Sequence, residues 1–405
     1  MYYLAQTDQL VTDGVIDPAQ ADEIQSRARA AMIALCVNTL LIAGILAATF
    51  GLVVLLASAL SVAFCGGLFL ATGLLILRYG AALYRMFGNA SALIGAGMLI
   101  SGTAIELVAK VPDQAGALLA IVGAVLSGLF FWRFRAGFVQ LRFAYGAVLV
   151  MAVALHLFGV YAAAHAFDLS GWPMPIVHFY AFAAIAALGL TLDLRIITAL
   201  AIVPFAQMIN TGTYYFTAAY VFYSPESTLS ILQMSALIAA CLWMTGRGSP
   251  ALARQAGVLM IMAFIVANLC FLVGSIWGDI VGERLWGPVY GDFDGDWDAY
   301  GAARDAFRAQ AISISEGVYS IVWALLLAGL IVWAALANKR GMFNAAMTFA
   351  GIHGYTQMFE SFYDEPLAYV IGGLVAIPLA FGLWRLNNAW FKPQSPASTH
   401  EGREW

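Results

Sequence analysis

Residues 30–77 contain no Asp, Glu, Lys or Arg, and so long an uncharged stretch has few folded forms open to it. A helix crosses the ~30 Å hydrocarbon core of a bilayer in about 20 apolar residues, so this stretch holds two crossings folded back on one another. The turn between them is expected near Ser58 to Ser61. Composition extends the reading to the whole chain: 62% of its residues are hydrophobic, 10% are charged, and the mean hydropathy is +0.84. A soluble enzyme of ordinary type is excluded. The same criterion places spans near 31–57, 60–78, 88–108, 115–132, 143–163, 174–191, 196–215, 228–245, 256–277, 313–335, 342–361 and 366–386. The expected fold is all-α, a polytopic transmembrane helix bundle of about twelve spans.

The basic residues orient it. With the N-terminus in the cytoplasm, the inner loops collect Arg78, Arg85, Arg133, Arg135, Arg142, Arg195, Arg247, Arg254, Lys339 and Arg340, and the tails add Arg27, Arg29, Arg385, Lys392 and Arg403. Only Lys110, Arg284, Arg304 and Arg308 fall outside, so 15 of the 19 basic residues lie on one side. That is the asymmetry of the positive-inside rule, and it puts both termini in the cytosol. The expected organisation is a cytosolic helix pair over 1–30, a bundle over 31–388 with an outer acidic loop at 278–312, and a cytosolic tail over 389–405. Trp132, Trp243, Trp384 and Trp390 fall near inner interfaces and Trp172 and Trp277 near outer ones, as amphipathic rings do. The polar, acidic first 30 residues are unlike a signal peptide, so the first span is expected to be an uncleaved anchor. Cys36, Cys65, Cys241 and Cys270 all lie inside spans without ligand spacing and read as small packing residues.

In the lead, Asp17 suits an N-cap, Pro18 the first helical position, and Gln20 the return bond of a capping box. Gly14 ends a first short helix. Leu4, Leu10, Val11, Ile16 and Ile24 give the pair a small apolar face suited to docking on the membrane face or on a protein partner. This lead, Leu10-Val11-Thr12-Asp13-Gly14-Val15-Ile16-Asp17-Pro18-Ala19-Gln20-Ala21-Asp22-Glu23-Ile24, runs straight into hydrophobic hairpins. The chain closes on an aromatic and acidic span, Gly354 to Glu360, and a Gly-rich last span from Gly372 to Leu374. In these two ends the chain resembles a family of predicted bacterial inner-membrane proteins with an N-terminal domain of unknown function. The resemblance implies an inner-membrane location and carries no established activity.

The residues that can bear chemistry are few. In the eleventh span His353, Gln357, Glu360 and Asp364 recur at helical spacing on one face. Ionisable groups in a bilayer turn toward the bundle interior or water, and Gly351 and Gly354 beside the histidine admit a close neighbour. Glu106, His156, His178 and Glu316 fall at similar outer depth, which suggests an outward polar vestibule lined by these four with His353, Gln357 and Glu360. Each histidine can equally be a hydrogen-bonded packing residue. In span seven, Pro204 precedes Gln207, Asn210 and Thr211 and an uncharged aromatic run to Tyr223; proline can break a helix, as in segments that build transporter sites. The outer loop offers Asp292, Asp294, Asp296 and Asp298 as hard oxygen ligands for calcium, although the glycine position does not match an EF-hand. No phosphate loop, zinc-spaced set or nucleophile motif occurs in a suitable context, haem ligation by His156 and His178 has no motif behind it, and nothing points to nucleic acid. The short connection between spans six and seven departs from the major facilitator pattern, and no internal repeat is evident. Two functional classes remain. One is a transporter-like or solute- and ion-binding protein. The other is a noncatalytic membrane partner or assembly protein.

Overall fold

The computed structural model of the chain describes residues 7–56, 58–169, 171, 173–216, 221–362 and 364–390; the expected tail beyond Trp390, and Leu4 in the lead, lie outside them. Helices dominate, and the chain divides into two compact units, Met1–Val177 and His178–Trp405. The first holds α1 (Thr7–Thr12), α2 (Pro18–Leu56), α3 (Ala59–Tyr79), α4 (Arg85–Lys110), α5 (Pro112–Ala136) and α6 (Arg142–Ala166), and α7 (Pro173–Leu192) begins at its end. The second continues with α8 (Arg195–Leu200), α9 (Ile202–Gln207), the antiparallel pair β1 (Tyr214–Phe216) and β2 (Val221–Tyr223), α10 (Ser227–Arg247) and α11 (Pro250–Trp277). Then come β3 (Asp279–Ile280), α12 (Glu283–Trp286), α13 (Trp297–Arg308), β4 (Ser313–Ile314), α14 (Glu316–Leu336), α15 (Arg340–Phe362) and α16 (Pro366–Trp390). Among the described residues, nine helices are long and apolar enough to cross a membrane, and this is a membrane-embedded helical protein. The helices α15 and α16, at 23 and 25 residues, have the length as well.

The lead departs from its expected form. Its second helix does not stop at residue 30 but runs without a break into the first span, making α2 39 residues long. The capping box is present: Gln20 N–H donates to Asp17 Oδ1 (2.7 Å) and Asp17 N–H to Gln20 Oε1 (3.1 Å). Gly14 takes φ +67° to reverse the chain, and α1 folds back on α2 through Gln25 Nε2 and Thr7 Oγ1 at 2.8 Å. The helix can continue because no proline follows Pro18 before Leu56, and the two glycines in that range, Gly44 and Gly51, face open space.

In the first unit, α3 and α4 approach until their backbones touch. A β-carbon on Gly66 would collide with the backbone of Leu99, one on Gly95 with that of Leu70, and one on Gly102 with Ala59 and Ala63. Small residues let helix backbones meet where lipid supplies no hydrophobic drive for association. The α5–α6 hairpin repeats this design 57 positions later (137 less 80 for the paired loop glycines). Gly123 would collide with His156 as Gly66 does with Leu99, and Gly159 with Ala120 as Gly102 does with Ala63. The connecting loops match too. Gly80 and Gly137 close α3 and α5 at φ −78° and −85°, one 3-10 turn follows in each, Ala82–Tyr84 and Val139–Leu141, and Arg85 and Arg142 open the next helix. An internal repeat is therefore present where the sequence did not display one, because it preserves the backbone contacts and the loop Arg-x-Gly rather than the lipid-facing side chains.

A buried polar anchor fixes α2 to this unit. Asn38 is 2% exposed; its Nδ2 donates to Leu83 O (2.8 Å) and its Oδ1 accepts from Phe87 N–H (2.9 Å), at the start of α4. Asn38→Ala leaves both backbone groups without a partner, so the protein should unfold about 1–3 kcal/mol more easily in a denaturant titration of the detergent-solubilised chain. An unchanged midpoint would mean water replaces the side chain.

The seventh span is the main correction. The stretch 196–215 is not one helix: α8 and α9 together cover Arg195 to Gln207, about 20 Å of rise, against the ~30 Å a crossing requires. Beyond Gln207 the backbone is irregular and then pairs as β1 and β2, with Tyr214 opposite Tyr223. Pro204 lies inside α9, where it withholds one backbone donor from the helix, and Asn210 and Gly212 follow at φ +56° and +69°, outside helical backbone. The outer loop is also more ordered than a solvated acidic segment. It pairs β3 with β4, and Glu283 holds Arg304 (2.5 Å) and Arg308 (2.8 Å) of α13.

Candidate functional site

The broken segment lies along α11, which sets the frame for the second unit. At the start of α11, Gln255 Oε1 accepts from Thr198 Oγ1 (2.7 Å), while Gln255 Nε2 and Arg254 hold Asp193 at 2.7 and 2.6 Å. Past the other end of α11, the chain after the break meets residues 279 to 284. Between them, Cys270 stands about 22 Å of helix rise from Gln255 and receives Ser224 Oγ at 3.5 Å. Residues 195–226 thus run the length of α11, as a short helix first and as irregular and extended backbone after it.

Irregular backbone within an apolar bundle needs partners for its polar groups, and the sequence supplies side chains for them. Thr211, Thr213, Ser224 and Ser230 are 0–2% exposed. Thr213 Oγ1 lies 2.9 Å from Ser224 Oγ and 2.7 Å from Ser230 Oγ, and Thr211 Oγ1 donates to Thr213 Oγ1 at 3.3 Å. Gln207 Nε2 donates to Thr213 O and Gln233 Nε2 to Phe205 O. Gln233 Oε1, on the same buried face of α10, has no partner among the described residues. Each hydroxyl both donates and accepts, so the cluster can re-pair around a guest without breaking its frame.

Next to it two buried carboxylates cross. Glu226, just before α10 and fully buried, sends its side chain across to the start of α12, where Oε2 accepts from Gly282 N–H (2.8 Å) and Oε1 from Arg284 N–H (2.5 Å). Asp279 reaches back the other way: its Oδ2 accepts from Thr228 N–H (2.8 Å), in the first turn of α10, and from the Tyr319 hydroxyl (3.1 Å). Tyr319 and Thr228 lie 2.5 Å apart through their hydroxyls. Asp279 Oδ1 is buried without a partner among the described residues. Burial pushes the Glu226 carboxyl above the usual carboxylate range, against the two backbone N–H groups that lower it, with the charges of Asp279 and Glu283 adding to the rise. Glu283 is also drawn upward by burial, but hydrogen bonds from Arg308 and Arg304 carry it below the ordinary value. Gly282 can sit at φ +86° under the ring of Trp286 only because it lacks a side chain, and that conformation aims its N–H at Glu226.

The residues expected to line a vestibule divide between the units. Glu106 and His156 belong to the first. Glu106 pairs with Lys110 one helical turn on (2.8 Å), and His156 sits against Gly123 with Nδ1 2.7 Å from Ala120 O; its repeat counterpart is Leu99, which fits a packing role. The other five belong to the second unit. His178 is half-buried on α7, and Glu316 and Glu360 are exposed. His353 and Gln357 do come together on α15, with His353 Nδ1 and Gln357 Nε2 both buried and without a partner among the described residues. The His353 ring meets Trp323 edge-on at 4.7 Å, and Trp323 Nε1 donates to Asn268 Oδ1 (2.9 Å) on α11. Among the described residues no three His, Cys, Asp or Glu side chains gather as a metal cage. Asp296 instead caps α13, accepting from Asp298 and Ala299 N–H at 3.0 Å, and Asp294 serves the turn at φ +49°. A groove of about 420 Å³ between α2, α3 and α4 is lined by Leu40, Ile45, Phe69 and Phe87 with only Thr72 and Ser91 as side-chain polar groups.

Sequence reasoning found Gln207 and Thr211 through Pro204 but passed over Glu226, Asp279, Tyr319 and the serines. A signal existed: Ser227, Ser230 and Gln233 recur three apart at the head of an apolar helix, and Ser224-Pro225-Glu226 is a helix start. Asp279 gave none, since its role depends on residues fifty positions away. No protein-family model, curated protein or solved structure matches the chain.

Proposed function

We propose that this protein is a transporter-like, solute- or ion-binding membrane protein whose site is the break in the seventh segment, approached from the 278–312 face. The observation that carries the reading is the enclosed polar cluster of Gln207, Thr211, Thr213, Ser224, Ser230 and Gln233 beside Glu226 and Asp279, at the depth where a short helix gives way to irregular backbone. Non-helical backbone inside a bundle is tolerated where it lines a cavity, and it is how discontinuous helices present polar groups to a substrate. A protein serving only as a membrane partner needs no such interior. His353 and Gln357 extend the polar lining along α15. The passage 195–226 and the helices α15 and α16 complete twelve crossings with both ends cytosolic, in a bacterial inner membrane, and the lead α1–α2 is a contact surface for a partner.

Cysteine accessibility tests both parts. In a background without Cys36, Cys65, Cys241 and Cys270, a membrane-impermeant thiol reagent applied outside should modify Gly295→Cys and spare Gly248→Cys. Thr213→Cys and Ser230→Cys should also react from outside, more slowly than Gly295→Cys because the site is recessed. If both remain unreactive from either side while Gly295→Cys reacts, the cluster is dry packing and the partner role stands in its place.

A further inference from the structure

We propose that Asp279 and Glu226 form a binding site for a monovalent metal cation of the sodium class, at the mouth of the site described above. The inference rests on that reading and gives it a coupling ion. The argument begins with charge. Both carboxylates are buried, Asp279 at 6% and Glu226 at 0% exposure, and neither forms an ion pair among the described residues. The nearby arginines are committed elsewhere: Arg304 and Arg308 hold Glu283, and Arg284, exposed, contributes its backbone N–H and lays its side chain by Gly212. The start of α10 supplies about half a positive charge, and α12 is a single turn. Two carboxylates against that sum leave a net negative site, and uncompensated buried charge is expensive.

The hydrogen bonds then say where compensation goes. Asp279 Oδ2 has two donors, Thr228 N–H and the Tyr319 hydroxyl, as an ionised carboxylate does. Its Oδ1, more than nine-tenths buried with the residue, has none. A proton placed on Oδ1 would itself lack an acceptor among the described residues, whereas a cation uses the bare lone pairs directly. Glu226 retains lone pairs beyond its two backbone bonds, and the Thr228 and Tyr319 hydroxyls bring further oxygen. All are hard donors. No third carboxylate, histidine or cysteine joins them among the described residues, so the charge suits a monovalent ion. The crossed bonds, 226 to 282 and 284, and 279 to 228, make the cation a clasp between the α10 start and the loop that roofs the broken segment.

The test uses the full chain purified in detergent, with sodium chloride exchanged for choline chloride at constant ionic strength. Sodium should raise the thermal midpoint saturably and change the fluorescence of Trp286, whose ring lies on Gly282. Line broadening of the sodium nuclear resonance should appear with the protein and disappear on adding unlabelled competitor potassium or lithium. Asp279→Asn should weaken the apparent affinity at least tenfold, and Glu226→Gln should weaken it as well; if Asp279→Asn fails to fold, the nuclear resonance measured with wild type and Glu226→Gln decides. No sodium-specific effect, equal stabilisation by choline, or tighter binding of calcium would each overturn the proposal. The external reactivity of Thr213→Cys in choline alone reads the solute site separately, so a failed cation site and a failed vestibule give different results.

Discussion

Glu226→Ala is expected to cost the protein about 1–3 kcal/mol or more, because it strips the acceptors from the buried Gly282 N–H and the part-buried Arg284 N–H, and an unsatisfied buried donor costs about 1–3 kcal/mol. Those donors, Gly282 and Arg284 N–H, begin α12, so the loop that carries Glu283 and Trp286 should loosen first. Proteolysis within 278–312 should accelerate before the bundle unfolds. Glu226→Gln keeps an acceptor oxygen and should lose far less. Its value lies in pH. The native Glu226 carboxyl titrates above the ordinary value, so the folded state holds its proton more tightly than the unfolded one. The stability this brings is complete below the ordinary glutamate value, about 4.3, and is lost as pH rises through the native value. Burial is the largest cause of the rise; the Gly282 and Arg284 N–H groups oppose it, the charges of Asp279 and Glu283 add to it, and the Tyr319 hydroxyl is bound to Asp279. In sodium-free buffer, thermal midpoints of wild type should therefore fall across that window, while those of Glu226→Gln should not. Parallel pH profiles for the two proteins would show that Glu226 is not the group responsible.

Gly123→Leu should be the most damaging single change in the first unit. Its new side chain has to enter the backbone of His156, so α5 and α6 must separate or shift register, and overpacking of this kind costs about 1–3 kcal/mol or more. The displacement also takes His156 Nδ1 away from Ala120 O. Gly128→Leu, five positions along the same helix and facing open space, should be nearly silent in the same denaturant titration. Repeat symmetry adds a check: Gly66→Leu should reproduce the effect between α3 and α4, and Gly97→Leu, which also faces open space, should not. Equal sensitivity at Gly123 and Gly128 would mean that helix propensity rather than backbone contact governs these positions.

That the chain is built of long apolar helices could be read early because the determinant is local. The charge-free run of 30–77 becomes α2 and α3, with Ser58, the first residue of the stretch where the turn is expected, standing just before α3. The capping box at Asp17 and Gln20 also formed as read, since both partners lie within one helical turn. The seventh span failed under the same rule. Its composition is apolar enough for a crossing, but Pro204, Asn210 and Gly212 permit a different backbone once Ser224, Ser230 and Gln233 can partner it, and those arrive from another helix. Hydropathy counts residues and cannot register that exchange.

The chain by itself determined that it lies in a membrane, where most of its long helices begin and end within a few residues, and how its basic residues are distributed, because burial in hydrocarbon and capping are settled by neighbours in sequence. Only the tertiary structure decided that His156 serves an α5–α6 contact, and that Glu226 and Asp279 cross between α10 and the 278–284 loop. The reason is distance along the chain. A carboxylate has the same sequence signature whether water, an arginine or a pair of backbone N–H groups receives it, and the energies that separate these outcomes come from partners 50 or more positions away.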